Sequence, residues 1–295
     1  MSVIEIKKLS RNYGGGRGVF DLSFSVEQGE VFGFLGPNGA GKTTAIRHLM
    51  GFLKPQKGEC LIDSKDCFSE RDKIQAKVGY IPGEIAFIDN MTGYNFIKFY
   101  AELRKQNNIN KAKLLMDRFE LDANGKLKKM SKGTKQKVGI VCAFMSDADI
   151  YILDEPTSGL DPLMQNTFID LVNEEKKKGK TILMSSHLFE EVERTCSRVG
   201  IIKQGKLAAI DEIETLKKQK IRRYVITLPD FEQAAAFWAT IPDLGEVDGN
   251  KVKITIKHDI RPLIEAMYKY PVLNIESVNQ SLEDVFLHYY GGKKL

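Results

Sequence analysis

The sequence predicts an α/β fold with a parallel sheet at its centre, followed by a small α+β domain. Three observations carry that prediction. An apolar run, Val31 to Leu35, passes into Gly36-Pro37-Asn38-Gly39-Ala40-Gly41-Lys42-Thr43-Thr44 and then into a helix-like segment, Ala45 to Leu53. Further on, the short apolar stretches Ile150 to Leu153, Thr181 to Met184 and Val199 to Ile202 alternate with helical patterns, as strands buried on both faces and joined by crossover helices do. Near residue 221 the order changes to strand, helix, two strands, helix, strand, the pattern of a split βαβ domain.

Taken in order, Val3 to Leu9 and Phe20 to Val26 alternate apolar with polar residues. That period predicts two strands with one buried face, joined through Tyr13 and the glycines after it. Gly29 and Glu30 turn the chain into the strand that ends at Leu35, and Gly58 to Asp63 and Lys77 to Pro82 read as two more short strands. From Thr92 to Glu120 the spacing becomes helical: Phe96, Phe99, Tyr100 and Leu103 recur three or four apart, as do Leu114, Leu115 and Phe119. With a third helix, Ser131 to Phe144, this predicts a helical subdomain of about residues 84–146 inserted in the α/β core. The charged run Lys217 to Arg223 reads as a hinge that separates a domain of residues 1–216 from one of residues 221–295. In the second domain the expected elements are strand Tyr224 to Leu228, helix Phe231 to Thr240, strands Leu244 to Val247 and Val252 to Ile256, helix Ile260 to Tyr268 and strand Val272 to Val278. A closing helix, Leu282 to Tyr289, follows. Neither an internal repeat nor a low-complexity segment interrupts the series.

A chain of 295 residues that is 42% hydrophobic and 28% charged can bury the core of one large or two ordinary domains. No stretch reaches the roughly 18 apolar residues of a membrane span, and the first residues hold no apolar leader core, which predicts a soluble, cytosolic protein. Cys60, Cys67, Cys142 and Cys196 are scattered with no C-x-x-C pair, so reduced, mostly buried thiols are expected rather than a zinc site or a disulfide framework. The net charge of +5 is dispersed among carboxylates, which argues against nucleic acid as a partner and leaves a mild attraction to an acidic membrane surface.

The stretch Gly36 to Thr43 fits the phosphate-loop pattern G-x-x-x-x-G-K-[ST] in the strand, turn, helix context that the pattern needs. Glycines let successive N–H groups turn inward around an anion at a helix start whose dipole already favours negative charge. Lys42 is then expected to reach the terminal phosphates, and Thr43 to present its hydroxyl to Mg²⁺. A second signal is the strand Ile150 to Leu153 ending in Asp154 and Glu155. The first carboxylate suits Mg²⁺ through its water shell, and the second, pointing the other way, suits orientation or deprotonation of an attacking water. Together they predict a nucleoside triphosphatase.

Three further pieces surround that pair: Met130-Ser131-Lys132-Gly133-Thr134-Lys135-Gln136 before it, Ser158-Gly159-Leu160-Asp161 after it, and Ser185-Ser186-His187 at the end of the next strand. With the phosphate loop and the carboxylates they resemble the nucleotide-binding subunit of an ATP-binding cassette (ABC) transporter, over roughly Val3 to Leu216. The resemblance implies a P-loop core of ABC type, with a mixed sheet and a helical subdomain, and ATP with Mg²⁺ as its cofactors. It implies that Glu155 and His187 are catalytic and that Tyr13 stacks on adenine. It further implies that Ser131 and Gly133 complete the phosphate site of a facing subunit, and that Asp161 communicates between the two sites. Lys132 and Thr134 depart from the family's usual glycine and glutamine, and the lysine either adds affinity for the partner's phosphate or is solvated. After Pro82 the family's glutamine is replaced by Gly83 and then Glu84. Either Glu84 supplies the missing Mg²⁺ oxygen or Gly83 acts as a hinge alone.

The ending Leu282-Glu-Asp-Val-Phe-Leu resembles exporters of the ABC-2 type, whose membrane-spanning subunits are separate polypeptides, and the alternative is a stabilising appendage with no bearing on substrate. These resemblances imply an ATPase that dimerises with itself or a paralogue. It would drive integral membrane permease subunits from the cytoplasmic face of the cell membrane. The competing reading is a soluble ABC ATPase acting on ribosomes or DNA, which would call for two cassettes in one chain or a long heptad insert.

Overall fold

The computed structural model describes residues 1–88, 90–105, 109–218, 222–256 and 259–278. The chain divides into two compact units, Met1–Ile213 and Glu214–Leu295.

The first unit opens with an antiparallel hairpin of β1 (Ser2–Gly14) and β2 (Arg17–Glu27), and β3 (Val31–Leu35) leads through the phosphate loop into α1 (Lys42–Leu49). There follow β4 (Lys57–Ile62), β5 (Lys65–Asp66), α2 (Arg71–Gln75) and β6 (Val78–Ile81). The helical segment comprises α3 (Gly93–Leu103), α4 (Asn110–Arg118) and α5 (Lys132–Phe144). The core then resumes with β7 (Ile150–Asp154), α6 (Pro162–Lys177), β8 (Thr181–Ser186), α7 (Phe189–Thr195), β9 (Arg198–Lys203) and β10 (Lys206–Glu212). Two sheets result: an antiparallel one in the order β2-β1-β4-β5, and a six-stranded one in the order β10-β9-β3-β8-β7-β6. In the larger sheet every neighbouring pair is parallel except β10 with β9, so it is mixed, as expected.

β3 is apolar at nearly every position because both its faces are covered. Phe32 and Phe34 point into a core shared with Phe24 of β2 and Ile46 and Leu49 of α1, and Phe24 stacks on Phe32 with ring centroids 5.2 Å apart. On the other face a Cβ at Gly33 would sit 2.6 Å from the Val192 side chain of α7, so glycine lets that helix close onto the strand. All four cysteines are free and buried in this unit. Among the described residues no helix is long and apolar enough to cross a membrane.

Several boundaries differ from the sequence expectation. α1 begins three residues early, at Lys42 directly after the loop, and closes at Leu49 because Gly51 (φ 70°) leaves the helical region. Tyr13 lies in β1 rather than in the turn, which falls at Gly15 and Gly16. β10 was not expected, since it is a half-exposed edge strand without clean alternation; the signal was the turn Gln204-Gly205, both residues at positive φ (50° and 75°), which suits a two-residue hairpin. The short β5 and α2 also lacked a pattern long enough to read.

α8 (Ile213–Lys218) begins at the last residue of the first unit. The second unit contains β11 (Arg222–Thr227), α9 (Phe231–Ala239), β12 (Gly245–Asp248), β13 (Lys251–Ile256), α10 (Arg261–Lys269) and β14 (Asn274–Val278). Its sheet runs β12-β13-β11-β14 with every pair antiparallel, the strand order of a split βαβ fold. One face carries Ile226, Val252 and Ile254 against Ala234 and Phe237 of α9 and Leu263 and Ala266 of α10, a core of its own. The expected helix Leu282 to Tyr289 lies outside the described residues.

Every candidate nucleotide contact lies in the first unit. A chain ending after Leu216 is therefore expected to fold and to bind ATP with an affinity within a few-fold of the full chain. Titration of a fluorescent ATP analogue checks this, and a folded truncated protein that does not bind would contradict it.

Candidate functional site

β3 delivers the chain to the phosphate loop, and the loop is held from both sides. The Gly36 N–H donates to the Ser186 carbonyl (3.3 Å), and the Gly205 N–H donates to the Ala40 carbonyl (2.9 Å). Gly41 sits at φ 111° at the N-terminus of α1, and a Cβ there would lie 2.9 Å from Val19, so both conformation and space demand glycine. The first turn of α1 carries no acidic side chain and no side-chain cap, leaving its N–H groups and dipole to an anion. Lys42, only 5% exposed, folds back: its Nζ donates to the Gly36 carbonyl (2.5 Å) and the Pro37 carbonyl (3.3 Å) and lies 3.0 Å from Glu155 Oε1. The approach to Glu155 has ion-pair distance without hydrogen-bond direction.

The carboxylates emerge where β7 ends beside β8. Asp154 is fully buried; its Oδ1 accepts from Ser185 Oγ (2.6 Å), and the Thr43 side chain also hydrogen-bonds to it. Burial holds its carboxyl above the usual carboxylate range, against the opposing pull of those two hydroxyls. Its Oδ2 has no hydrogen-bond partner among the described residues. A buried anionic oxygen left over beside a threonine hydroxyl is a donor set that suits a hard cation such as Mg²⁺, completed by water and phosphate oxygens. Among the described residues no three acidic, histidine or cysteine side chains gather as a closed metal cage.

Glu155 takes the left-handed backbone conformation (φ 49°), a strain of about 1–2 kcal/mol for a residue with a Cβ. Its N–H donates to Ser185 Oγ (3.0 Å), and its Oε2 lies 2.5 Å from His187 Nδ1. The Glu155 carboxylate thus sits between an ammonium group and an imidazole. His187, 41% exposed, faces the opening.

The opening is a cleft of about 420 Å³ whose lining includes Asn38, Gly83, Glu84, Gln136, Glu155 and His187. A Cβ at Gly83 would be 2.8 Å from Asp154 Oδ2, so the backbone here packs directly on the carboxylate and a larger residue would push it aside. Glu84, one residue along, is exposed in the same cleft.

Ser131 is the N-cap of α5, its Oγ accepting from the Thr134 N–H (3.1 Å), and Gly133 lies in the first turn against the Gly159 carbonyl. Lys132 is not simply solvated: its Nζ donates to Ser158 Oγ (2.8 Å), while Gln136 Nε2 donates to the Pro156 carbonyl (2.8 Å). Asp161 caps α6, accepting from the Met164 N–H (3.0 Å). Tyr13 is half exposed with the Arg11 guanidinium 5.4 Å from its ring centroid, on the hairpin whose Gly18 and Val19 touch Gly41. The structure therefore gathers Lys42, Thr43, Asp154, Glu155 and His187 into one cluster, and places Ser131 and Asp161 as helix caps outside it. The double role of Ser185 escaped the sequence reading, because only strand register shows that a hydroxyl at the end of β8 faces the end of β7.

Geometry of this kind defines a P-loop nucleoside triphosphatase, with the phosphate site at the carboxyl ends of parallel strands. Comparison with known proteins narrows the class. The ABC transporter family profile matches residues 19–158. An ABC transporter ATP-binding protein of Bacillus subtilis (strain 168), YhcH, is 32% identical, covering 99% of this chain and 97% of the relative. The bacitracin transport ATP-binding protein BcrA of Bacillus licheniformis is 30% identical over 99% of this chain and 98% of the relative. Among solved structures, a dimeric ATP-binding cassette in a post-hydrolysis state with ADP and Pi bound matches 71% of this chain and 98% of its own at a TM-score of 0.64 and 22% identity, a likeness of fold. The chain belongs to the ATP-binding proteins of ABC transporters, and it is an ATPase.

Replacing Ser185 by Ala removes one donor to a buried carboxylate and the acceptor of the strained Glu155 N–H. Ser185→Ala is expected to lower stability by about 1–3 kcal/mol. Urea denaturation of the nucleotide-free protein measures this, with a shifted midpoint and an unchanged slope.

Proposed function

We propose that this chain is one half of an ATPase dimer that drives separate membrane-spanning permease subunits of an exporter, docked on the cytoplasmic face of the membrane. The observation that carries the catalytic part is the placement of Glu155 between Lys42 and His187 beside the phosphate loop. The terminal phosphates of ATP, being more highly charged than one carboxylate, draw the Lys42 ammonium away from Glu155. Glu155 is then free to accept a proton from the attacking water, with His187 orienting it. Thr43 and Asp154 are the residues that would hold Mg²⁺, which neutralises charge on the phosphates. Tyr13 offers its ring to adenine.

Support for the dimer comes from α5. Its first turn holds Lys132 and Lys135 and no acidic side chain, so its dipole and charge suit the phosphate of a facing subunit, in a two-fold pair with equal sites. Support for export comes from the full-length alignment with a bacitracin transport protein, which extends through the second unit. Substitution of Glu155 by Gln keeps shape and removes the base. Glu155→Gln should bind ATP, lose hydrolysis by at least about 100-fold and accumulate an ATP-bound dimer on size exclusion. Retained turnover, or a mutant that stays monomeric with ATP, would count against the role.

Glu84 supplies, in this reading, the oxygen that Gly83 does not have, from its place in the same cleft. Phe87, packed edge-on against Phe96 (4.8 Å between centroids), and the exposed Ile88 form with Met91 an apolar lip for the membrane partner. Glu84→Ala is expected to raise the Mg²⁺ concentration needed for half-maximal hydrolysis, whereas Phe87→Ala spares basal hydrolysis and reduces stimulation by the permease. An unchanged Mg²⁺ dependence in Glu84→Ala would leave Gly83 as a hinge alone.

A further inference from the structure

The ladder between β7 and β8 ends at the pair Asp154 and Ser185. Yet Glu155 and His187, which lie beyond it on separate loops, meet at 2.5 Å. Backbone pairing of β8 with β3 holds the His187 side as far as Ser186, and Ser185 Oγ holds the Glu155 N–H; beyond these, a side-chain tie joins the two segments. It lies on α7, one helical turn past His187. Glu191 is 5% exposed, and the two oxygens of its carboxylate accept from different segments, the end of β8 and the loop after β7. Oε2 accepts from Ser186 Oγ at 2.8 Å, and Oε1 accepts from the Thr157 hydroxyl in a short bond. Ser186 immediately precedes His187, and its Oγ also accepts from the Leu188 N–H (2.9 Å), so the chain is fixed on both sides of the imidazole. Thr157 lies two residues past Glu155, in the segment that must keep the left-handed turn. The helix side is anchored as well, since Thr195 Oγ1 donates to the Glu191 carbonyl (2.7 Å).

A buried carboxylate whose partners among the described residues are two neutral hydroxyls is an expensive way to fill space. An apolar side chain on α7 would pack at lower cost, but it could not receive two hydroxyls from two segments. Burial pushes the Glu191 carboxyl upward, and the two hydroxyls oppose that shift.

We propose that Glu191 is a positioning residue for ATP hydrolysis: by gripping Thr157 and Ser186 together it sets the approach of Glu155 to His187, without itself touching the nucleotide. The proposal rests on the reading of Glu155 as the base. Glu191 grips the Ser186 side chain, whereas the phosphate loop is tied to Ser186 through the backbone bond from the Gly36 N–H, which survives loss of the carboxylate, so Glu191 acts on turnover more than on binding.

The experiment uses the full chain and four variants: Glu191→Ala, the isosteric Thr157→Val, Glu155→Gln, and Glu191→Ala combined with Glu155→Gln. Steady-state hydrolysis, the dissociation constant of a fluorescent ATP analogue and the thermal midpoint are measured for each. Glu191→Ala is expected to lower kcat roughly 10- to 100-fold, the scale of a misplaced catalytic group, with the dissociation constant unchanged. Thr157→Val should reproduce part of that loss, and it decides the matter if Glu191→Ala fails to fold. The double variant should hydrolyse no more slowly than Glu155→Gln alone, since both act through one group. A kcat within twofold of the unmodified chain in Thr157→Val and in a folded Glu191→Ala would overturn the proposal. So would a loss matched by equal weakening of ATP binding and a lowered thermal midpoint, which is what a merely structural residue gives. If Glu155→Gln itself keeps full turnover, the reading of the base fails instead, and the two failures are told apart.

Discussion

The site depends on the register of three parallel strands. β3 pairs with β8 so that Leu35 lies opposite Ser186, and β8 pairs with β7 so that Ser185 lies opposite Asp154. Three loops therefore leave the sheet at one edge within a residue of one another: the phosphate loop, the segment with Glu155 and the segment with His187. A slip of one residue in either ladder would turn every side chain of a strand to the other face. Burial on both faces of β3, β7 and β8 resists such a slip. The fold thus fixes which groups can meet before any nucleotide enters.

At that edge the charges are arranged as an exchange. Lys42 is too buried to rely on water, so it needs anionic or carbonyl partners, and it finds them in Gly36, Pro37 and Glu155. Glu155 in turn is shared between Lys42 and His187, in a backbone conformation that needs outside support. In the mechanism we propose, a triphosphate entering the loop would offer Lys42 a stronger partner and the same event would release the carboxylate for chemistry. Binding and activation would then be one rearrangement of ion pairs in a site of low dielectric, where such pairs are strong.

Much of this was legible in the sequence. The phosphate loop and the strand ending in Asp154 and Glu155 are local patterns, dictated by backbone needs and by the burial of parallel strands, so residue type and spacing were enough. The β-α-β-β-α-β order of the second unit was readable for the same reason, since each element has its own period. What could not be read was set by contact across the sheet. Ser185 serves both Asp154 and Glu155, and Glu191 reaches Thr157, through pairings 30 to 34 residues apart that leave no spacing rule behind. The edge strand β10 escaped because a half-solvated strand need not alternate.

Lys132 illustrates how the structure changes the terms of a question. The sequence left two fates for it, a partner's phosphate or solvent, and to these the structure adds a bond from the exposed ammonium to Ser158 of its own chain. Beside it, Gln136 holds the Pro156 carbonyl, and the backbone of Gly133 lies against Gly159 with no room for a side chain between them. Three contacts thus join the first turn of α5 to residues 156–159, the continuation of the strand that carries Glu155. The N-terminus of α5 and the catalytic loop behave as one packed piece. In the dimer we propose, a piece of that kind would bind the position of the group offered to the partner to the position of Glu155. The lysine that replaces the usual glycine braces that joint through one hydrogen bond to a neutral hydroxyl, and its exposed charge still faces the cleft.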